Sequence, residues 1–296
     1  MFAPKGIIPP IVTPFDQEGN IDFQVYRQMV DHLISQGVHG VFPMGTTGEF
    51  YAISDEEYRR ILEVTVEQVA GRVDVYAGAN DITTRGVIRQ IRIAEQVKGI
   101  DALSILTPMF ISQTQEELYQ HYKAIAESTD MPIILYNNKP KTNVTATPET
   151  VARLAQIPNI IGVKDSTGDF TNTLEYLRLT RGIPDFHVLV GRDTLIYAGL
   201  CCGCAGSIAS CSNVAPRLVC DIYNKYVSGD RAGALEAQMK LNPLRIACNM
   251  GTFPAVIKEG LVMQGIPVGK CLEPIGELRN DEKDKLRQVL RDLELI

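Results

Sequence analysis

The feature that most constrains the fold is a rhythm. Eight short apolar, β-prone runs alternate with longer stretches of helical period across about two-thirds of the 296 residues. The runs are Gly6 to Thr13, Val38 to Met44, Val73 to Ala77, Ala102 to Leu106, Pro132 to Tyr136, Ile160 to Lys164, Phe186 to Val190 and Gly206 to Ala209. Several are apolar at successive rather than alternate positions, as parallel strands are when both faces are covered. The stretches between them begin with clear signals. Ser54-Asp55-Glu56-Glu57 and Thr114-Gln115-Glu116-Glu117 fit the capping box, and Thr147-Pro148-Glu149 puts proline where its missing N–H costs nothing. Eight such units in series predict an α/β chain folded as a (β/α)8 TIM barrel, with an open doubly wound sheet as the alternative.

After about Val214 the pattern becomes helix upon helix, broken at Gly229, Pro243, Gly251, Gly265 and Pro274. Residues 1–213 therefore read as the barrel, and residues 214–296 as a C-terminal helical extension packed on it.

Composition narrows the function classes. A chain that is 45% hydrophobic and 22% charged can bury a large core and is not disordered. With 29 basic and 35 acidic residues the net charge is -6, and no Lys/Arg-dense stripe offsets it, so a nucleic-acid partner is not expected. Met1-Phe2-Ala3-Pro4-Lys5 does not open a secretory signal. The longest uncharged stretch, Thr194 to Pro216, is too rich in Gly, Ser and Cys for a membrane span, so the expectation is a cytoplasmic protein with no membrane partner. Of seven cysteines, Cys201, Cys202, Cys204, Cys211 and Cys220 crowd together, away from His32, His39, His121 and His187. Their small-residue background predicts reduced, buried thiols rather than a metal or iron-sulfur site.

In a barrel the reactive groups belong at the carboxyl ends of the strands. The sixth run, Ile160-Ile161-Gly162-Val163-Lys164-Asp165-Ser166, buries a lysine in an apolar strand. Desolvation disfavours the ammonium and lowers its pKa, producing the neutral amine that attacks carbonyls; the plainer reading is a salt-bridged structural lysine. The second run leads into Gly45-Thr46-Thr47-Gly48-Glu49, whose close-approaching backbone and two hydroxyls suit a carboxylate, or which simply turns the chain. The fifth ends in Tyr136-Asn137-Asn138, offering a phenol as proton shuttle or as a packed aromatic. Gly191-Arg192-Asp193 and Gly206-Ser207-Ile208-Ala209-Ser210 close the seventh and eighth runs.

Gly-Thr-Thr-Gly-Glu, Tyr-Asn and Gly-Val-Lys-Asp-Ser, in this order and on these strands, make the chain similar to the dihydrodipicolinate synthase and N-acetylneuraminate lyase family. The likeness runs from Gly6-Ile7-Ile8-Pro9-Pro10-Ile11-Val12-Thr13-Pro14-Phe15 through Pro254 to the final helices. The resemblance implies a homotetrameric barrel whose Lys164 forms a Schiff base with a small 2-oxo acid such as pyruvate. It further implies that Thr46 and Thr47 hold the carboxylate, that Tyr136 moves protons and that the backbone at Ile208 seats the substrate. No metal or organic cofactor is implied.

Two departures bear on the substrate. Where the synthases carry Pro-Gly-Arg-Thr after Tyr-Asn, this chain has Asn138-Lys139-Pro140-Lys141-Thr142, exchanging a bidentate fork for a point charge. Where they carry a relay tyrosine after Thr-Pro, it has Thr107-Pro108-Met109-Phe110, without a hydroxyl. The expectation is an aldolase or lyase acting on a 2-oxo-3-deoxy sugar acid or another 4-hydroxy-2-oxo acid, with Lys141 and Arg192 at its distal end. The alternative is a 4-hydroxy-tetrahydrodipicolinate synthase condensing pyruvate with aspartate semialdehyde. A non-catalytic 2-oxo acid binder stands further off, since Lys164 and Tyr136 are both kept.

Overall fold

The first expected strand contains Pro9-Pro10, and proline has no N–H to give a ladder. Regular pairing in the computed structural model, which describes residues 2–296, accordingly covers only Gly6–Ile7 (β1) of that run. The other strands are Gly40–Val41 (β2), Asp74–Gly78 (β3), Ala102–Leu106 (β4), Ile133–Asn137 (β5), Ile160–Asp165 (β6), His187–Val190 (β7) and Gly206–Ser207 (β8). All neighbours are parallel, in the order β1-β8-β7-β6-β5-β4-β3-β2. The chain around the two prolines stays extended: His39 N–H donates to Ile7 O at 2.9 Å, Phe42 N–H to Pro9 O at 2.9 Å and Ile11 N–H to Phe42 O at 3.0 Å. These bonds stitch the first strand to the second, and the barrel closes.

The doubly apolar runs are explained by two cores. One side chain from each strand region, Ile8, Phe42, Tyr76, Ala102, Ile134, Ile161, Leu189 and Ile208, fills the barrel interior. Leu103 and Ile105 of β4, by contrast, face outward into the larger core shared with the helices. The interior is thus a solid floor, and a site can lie only above it.

Helix Pro216–Val227 packs on β1, and its Tyr223 meets the His39 ring edge-on at 4.8 Å. It occupies the eighth helical position of the barrel although it lies beyond residue 213. Helices Arg231–Ala247, Ala255–Met263 and Asn280–Asp292 follow. Pro243, expected to break the chain, lies inside the helix Arg231–Ala247. It sits on the exposed face, where water can take the carbonyl its ring leaves unbonded, while Leu241, Leu244 and Ala247 keep the opposite face buried.

The expectation of buried thiols also needs correction. Cys204, Cys211 and Cys220 are buried, but Cys201 and Cys202 are exposed on the last turn of helix Ile196–Cys202. The Cys201-x-x-Cys204 spacing is thereby split between solvent and core. Among the described residues no group of three or more His, Cys, Asp or Glu side chains is placed to hold a metal, and no helix is long and apolar enough to cross a membrane.

The extension is tied to the barrel by charge. Lys258 Nζ lies 2.6 Å from Glu49 Oε1, with both side chains almost wholly buried, and also donates to Lys270 O at 2.9 Å. Glu49 Oε2 accepts the Leu272 N–H at 2.9 Å. Removing one partner strands a buried charge, which costs about 3–5 kcal/mol. Lys258→Met should therefore lower the urea midpoint by that equivalent at unchanged m-value, and Glu49→Gln in the same chain should recover part of the loss; a change below about 1 kcal/mol would refute the tether.

Candidate active site

The sheet register alone brings the two principal residues together. Lys164 on β6 is the ladder partner of Tyr136 on β5 and of Leu189 on β7. Partners on parallel strands project to the same side, so amine and phenol stand side by side above the floor. Lys164 is 4% exposed. Its Nζ lies 3.9 Å from the centroid of the Tyr136 ring and 5.2 Å from that of Phe42. Burial is the main cause holding its pKa below the ordinary lysine value, and the neighbouring Tyr136 opposes this only in part. Among the described residues no carboxylate is within salt-bridge distance, which removes the plainer reading of a paired structural lysine.

Burial alone would raise the Tyr136 pKa. The Lys164 charge and hydrogen bonds from Thr46 and Asn138 outweigh it and leave the phenol below its usual value. Thr46 Oγ1 lies 3.3 Å from Tyr136 Oη, and Asn138 Nδ2 donates to the same oxygen at 2.8 Å. Asn138, buried directly beyond the Tyr-Asn pair, was not singled out from the sequence; its only signal was its place two residues after the tyrosine.

Thr46-Thr47-Gly48 form a single 3-10 turn between two left-handed residues, Met44 at φ 61° and Glu49 at φ 55°. Such conformations cost a side-chain-bearing residue about 1–2 kcal/mol each, and Glu49 is held in place by the Lys258 pair. A Cβ on Gly48 would lie 2.9 Å from Ile11 O, so the turn can seat this deeply only with glycine there. Gly45 brings the chain over the Phe42 ring and does not line the cavity.

Asp165, next to the lysine, is structural. Its carboxylate accepts the Thr167 N–H at 3.1 Å, the Thr173 hydroxyl at 2.7 Å and Asn172 Nδ2 at 3.1 Å, which fixes the end of β6. Ser166 does face the cavity, with a hydroxyl that finds no partner among the described residues. A Cβ on Gly191 would fall 1.9 Å from that hydroxyl, so glycine is required for β7 to pass it.

These groups share a cavity of about 420 Å³. Thr46, Thr47, Tyr136, Lys164 and Ile208 line it together with Lys141 and Arg192, and Arg245 enters from helix Arg231–Ala247. Ile208 N–H is bonded to Val190 O at 2.9 Å, so any backbone contact to a ligand falls to its carbonyl. Lys141 is exposed, with Nζ 5.7 Å from the Phe253 ring centroid. Phe110 is 88% exposed at φ 75° and does not reach this cavity.

Residues 3–293 match the model of the dihydrodipicolinate synthetase family. The chain belongs to that family. It is 37% identical over 292 residues to the 4-hydroxy-tetrahydrodipicolinate synthase of Thermodesulfovibrio yellowstonii, covering 99% of each chain. Among solved structures, the dihydrodipicolinate synthase of Thermotoga maritima superposes with a TM-score of 0.95 at 33% identity, covering 99% of both chains. The Acinetobacter baumannii dihydrodipicolinate synthase, solved in complex with pyruvate, gives 0.95 at 31% identity, again with 99% coverage of each. Membership makes the chain a lyase of the class I aldolase type, and the relatives' names side with the synthase activity placed second from sequence.

A buried lysine whose charge is disfavoured costs the fold stability. Because Lys164 has a folded-state pKa below its unfolded value near 10.4, the native state binds fewer protons between the two values, and the penalty is largest below both and vanishes above the unfolded one. Lys164→Met should abolish turnover yet stabilise the fold by about 1–2 kcal/mol at neutral pH, with the gain shrinking as pH rises toward 10. Thermal denaturation across pH checks this, and a destabilised or pH-independent variant would contradict it.

Proposed function

We propose that the protein condenses pyruvate with aspartate semialdehyde, as a 4-hydroxy-tetrahydrodipicolinate synthase does, through an imine on Lys164. The observation that carries this reading is the buried, unpaired Lys164 amine beside the Tyr136 phenol, above which Thr46 and Thr47 offer hydroxyls to a carboxylate. The names of the relatives support this acceptor over others.

The neutral amine adds to the C2 ketone of pyruvate, and Tyr136 supplies the proton with which the carbinolamine oxygen leaves as water. The resulting iminium makes C3 acidic, because loss of its proton gives a neutral enamine instead of a carbanion. Tyr136, having given up its proton, takes this one; C3 then bonds to the aldehyde carbon as the aldehyde oxygen gains a proton, and the acceptor's own amine attacks C2 and displaces Lys164, closing the ring.

A second reading, cleavage of a 2-oxo-3-deoxy sugar acid, is favoured by two observations. Lys141 stands exposed where the synthases carry arginine, and Phe110 offers no hydroxyl. Phe110 and Ile111, 88% and 60% exposed, also support assembly into the proposed homotetramer, since a left-handed aromatic held out in water is a surface to be covered.

Intact-mass analysis after pyruvate and borohydride treatment should give one reduced pyruvyl adduct on Lys164, absent from Lys164→Ala. Pyruvate consumption with aspartate semialdehyde should then exceed cleavage of any sugar acid by at least tenfold in kcat/KM. No adduct would sink the imine reading; adduct with the opposite preference would select the second.

A further inference from the structure

We propose that Arg192 and Arg245 form a second anion subsite, which takes a carboxylate at the far end of the acceptor aldehyde. This rests on the imine reading above and moves recognition of the distal end from Lys141, where the motif puts it, to residues on β7's loop and the C-terminal extension.

Charge balance carries the argument first. The charged residues lining the cavity are Lys141, Lys164, Arg192, Arg245 and Asp193. With Lys164 neutral as the nucleophile, three cations face one anion, inside a protein whose net charge is -6. Asp193 is already fully engaged. Its Oδ1 accepts the Cys211 N–H at 2.8 Å, and its Oδ2 lies 3.4 Å from Ser210 Oγ and 3.3 Å from Arg245 Nε. Arg245 is thereby charge-paired with Asp193, with its side chain only 13% exposed, although its Nε makes no hydrogen bond among the described residues.

Arg192 is different. It is half-buried against Gly168, and no carboxylate of the described residues pairs with it. Burial and the proximity of Arg245 both disfavour its charge. A half-buried guanidinium without a counter-ion, next to a second one, is a site waiting for an anion, and its planar fork matches a carboxylate bidentately. Lys141 also lines the cavity but is exposed, over the Phe253 ring.

Position assigns the role. The threonine turn follows β2 and Arg192 follows β7, three steps apart round the barrel through β1 and β8, with Lys164 on β6 beside the arginine. A pyruvyl unit with its carboxylate toward the threonines presents C3 to the arginine side. The acceptor is then an aldehyde bearing a terminal carboxylate, and a neutral polyol tail leaves the Arg192 guanidinium uncompensated.

The test compares 4-oxobutanoate with its uncharged analogue 4-oxobutanamide as acceptors for pyruvate, on the full chain. The native protein should favour the anion at least tenfold in kcat/KM. Arg192→Gln should cut that ratio by ~10- to 100-fold, mainly through KM, the usual loss of a charge-assisted hydrogen bond. Arg245→Lys, which keeps the charge beside Asp193, should cut it several-fold, and Lys141→Gln no more than about threefold. Loss of the ratio in Lys141→Gln but not in Arg192→Gln, or no preference in the native protein, overturns the subsite. Borohydride trapping on the same samples separates the two ideas, because a trapped pyruvyl imine without anion preference refutes the subsite alone. Glutarate supplies a readout free of turnover: it should raise the native melting temperature more than that of Arg192→Gln, and equal shifts overturn the proposal.

Discussion

Everything chemical in this protein depends on keeping one amine dry. Lys164 is held below the ordinary lysine pKa because it is buried on a floor of eight interlocked apolar side chains, one per strand region, with no carboxylate of the described residues in contact with it. A carboxylate at contact distance would restore the ammonium and remove the nucleophile. Asp165, its immediate neighbour in sequence, is therefore turned to the opposite face and saturated with three donors from the loop and helix that follow. The strand alternation that fills the barrel interior thus also separates an acid from an amine one residue away.

The second constraint runs through Glu49. The threonine turn is built on a non-glycine left-handed residue, and its carboxylate is buried against Lys258 and the Leu272 backbone. The helical extension therefore does more than decorate the barrel. It pins the threonine turn that lines the cavity, and from helix Arg231–Ala247 it sends Arg245 into the same cavity. Both contacts connect residues some two hundred positions apart or unrelated to any local motif.

This explains what the sequence could and could not disclose. Strand number, the barrel, Lys164, Tyr136, Thr46 and Thr47 were legible because each follows from local pattern: apolar runs, capping boxes and polar residues at strand ends. Arg245 was illegible because nothing local marks a helical arginine as cavity-lining, and only the folding back of the extension places it. Pro243 misled because proline removes one hydrogen bond, while three buried apolar neighbours on the other face hold the helix through it. The cysteines misled because composition reports a small-residue segment, whereas burial changes residue by residue around one helical turn.

The surroundings of Tyr136 set a limit on how its proton can travel. Besides Lys164, two side chains of the described residues reach its oxygen. Thr46 is a hydroxyl, able to give and accept, but Asn138 Nδ2 only donates. An amide donor stabilises the phenolate and fixes the direction of the oxygen's lone pairs, yet it cannot carry a proton onward. Phe110, exposed and without a hydroxyl, adds no further link. The hydroxyl path open to Tyr136 among the described residues is therefore a single step to Thr46 of the threonine turn. A proton leaving Tyr136 toward the acceptor side must pass through the substrate itself or through water in the cavity. On the proposed reading the group on that side is positioned by charge rather than by hydroxyl relay, the task assigned above to the cavity-lining Arg192 and Arg245.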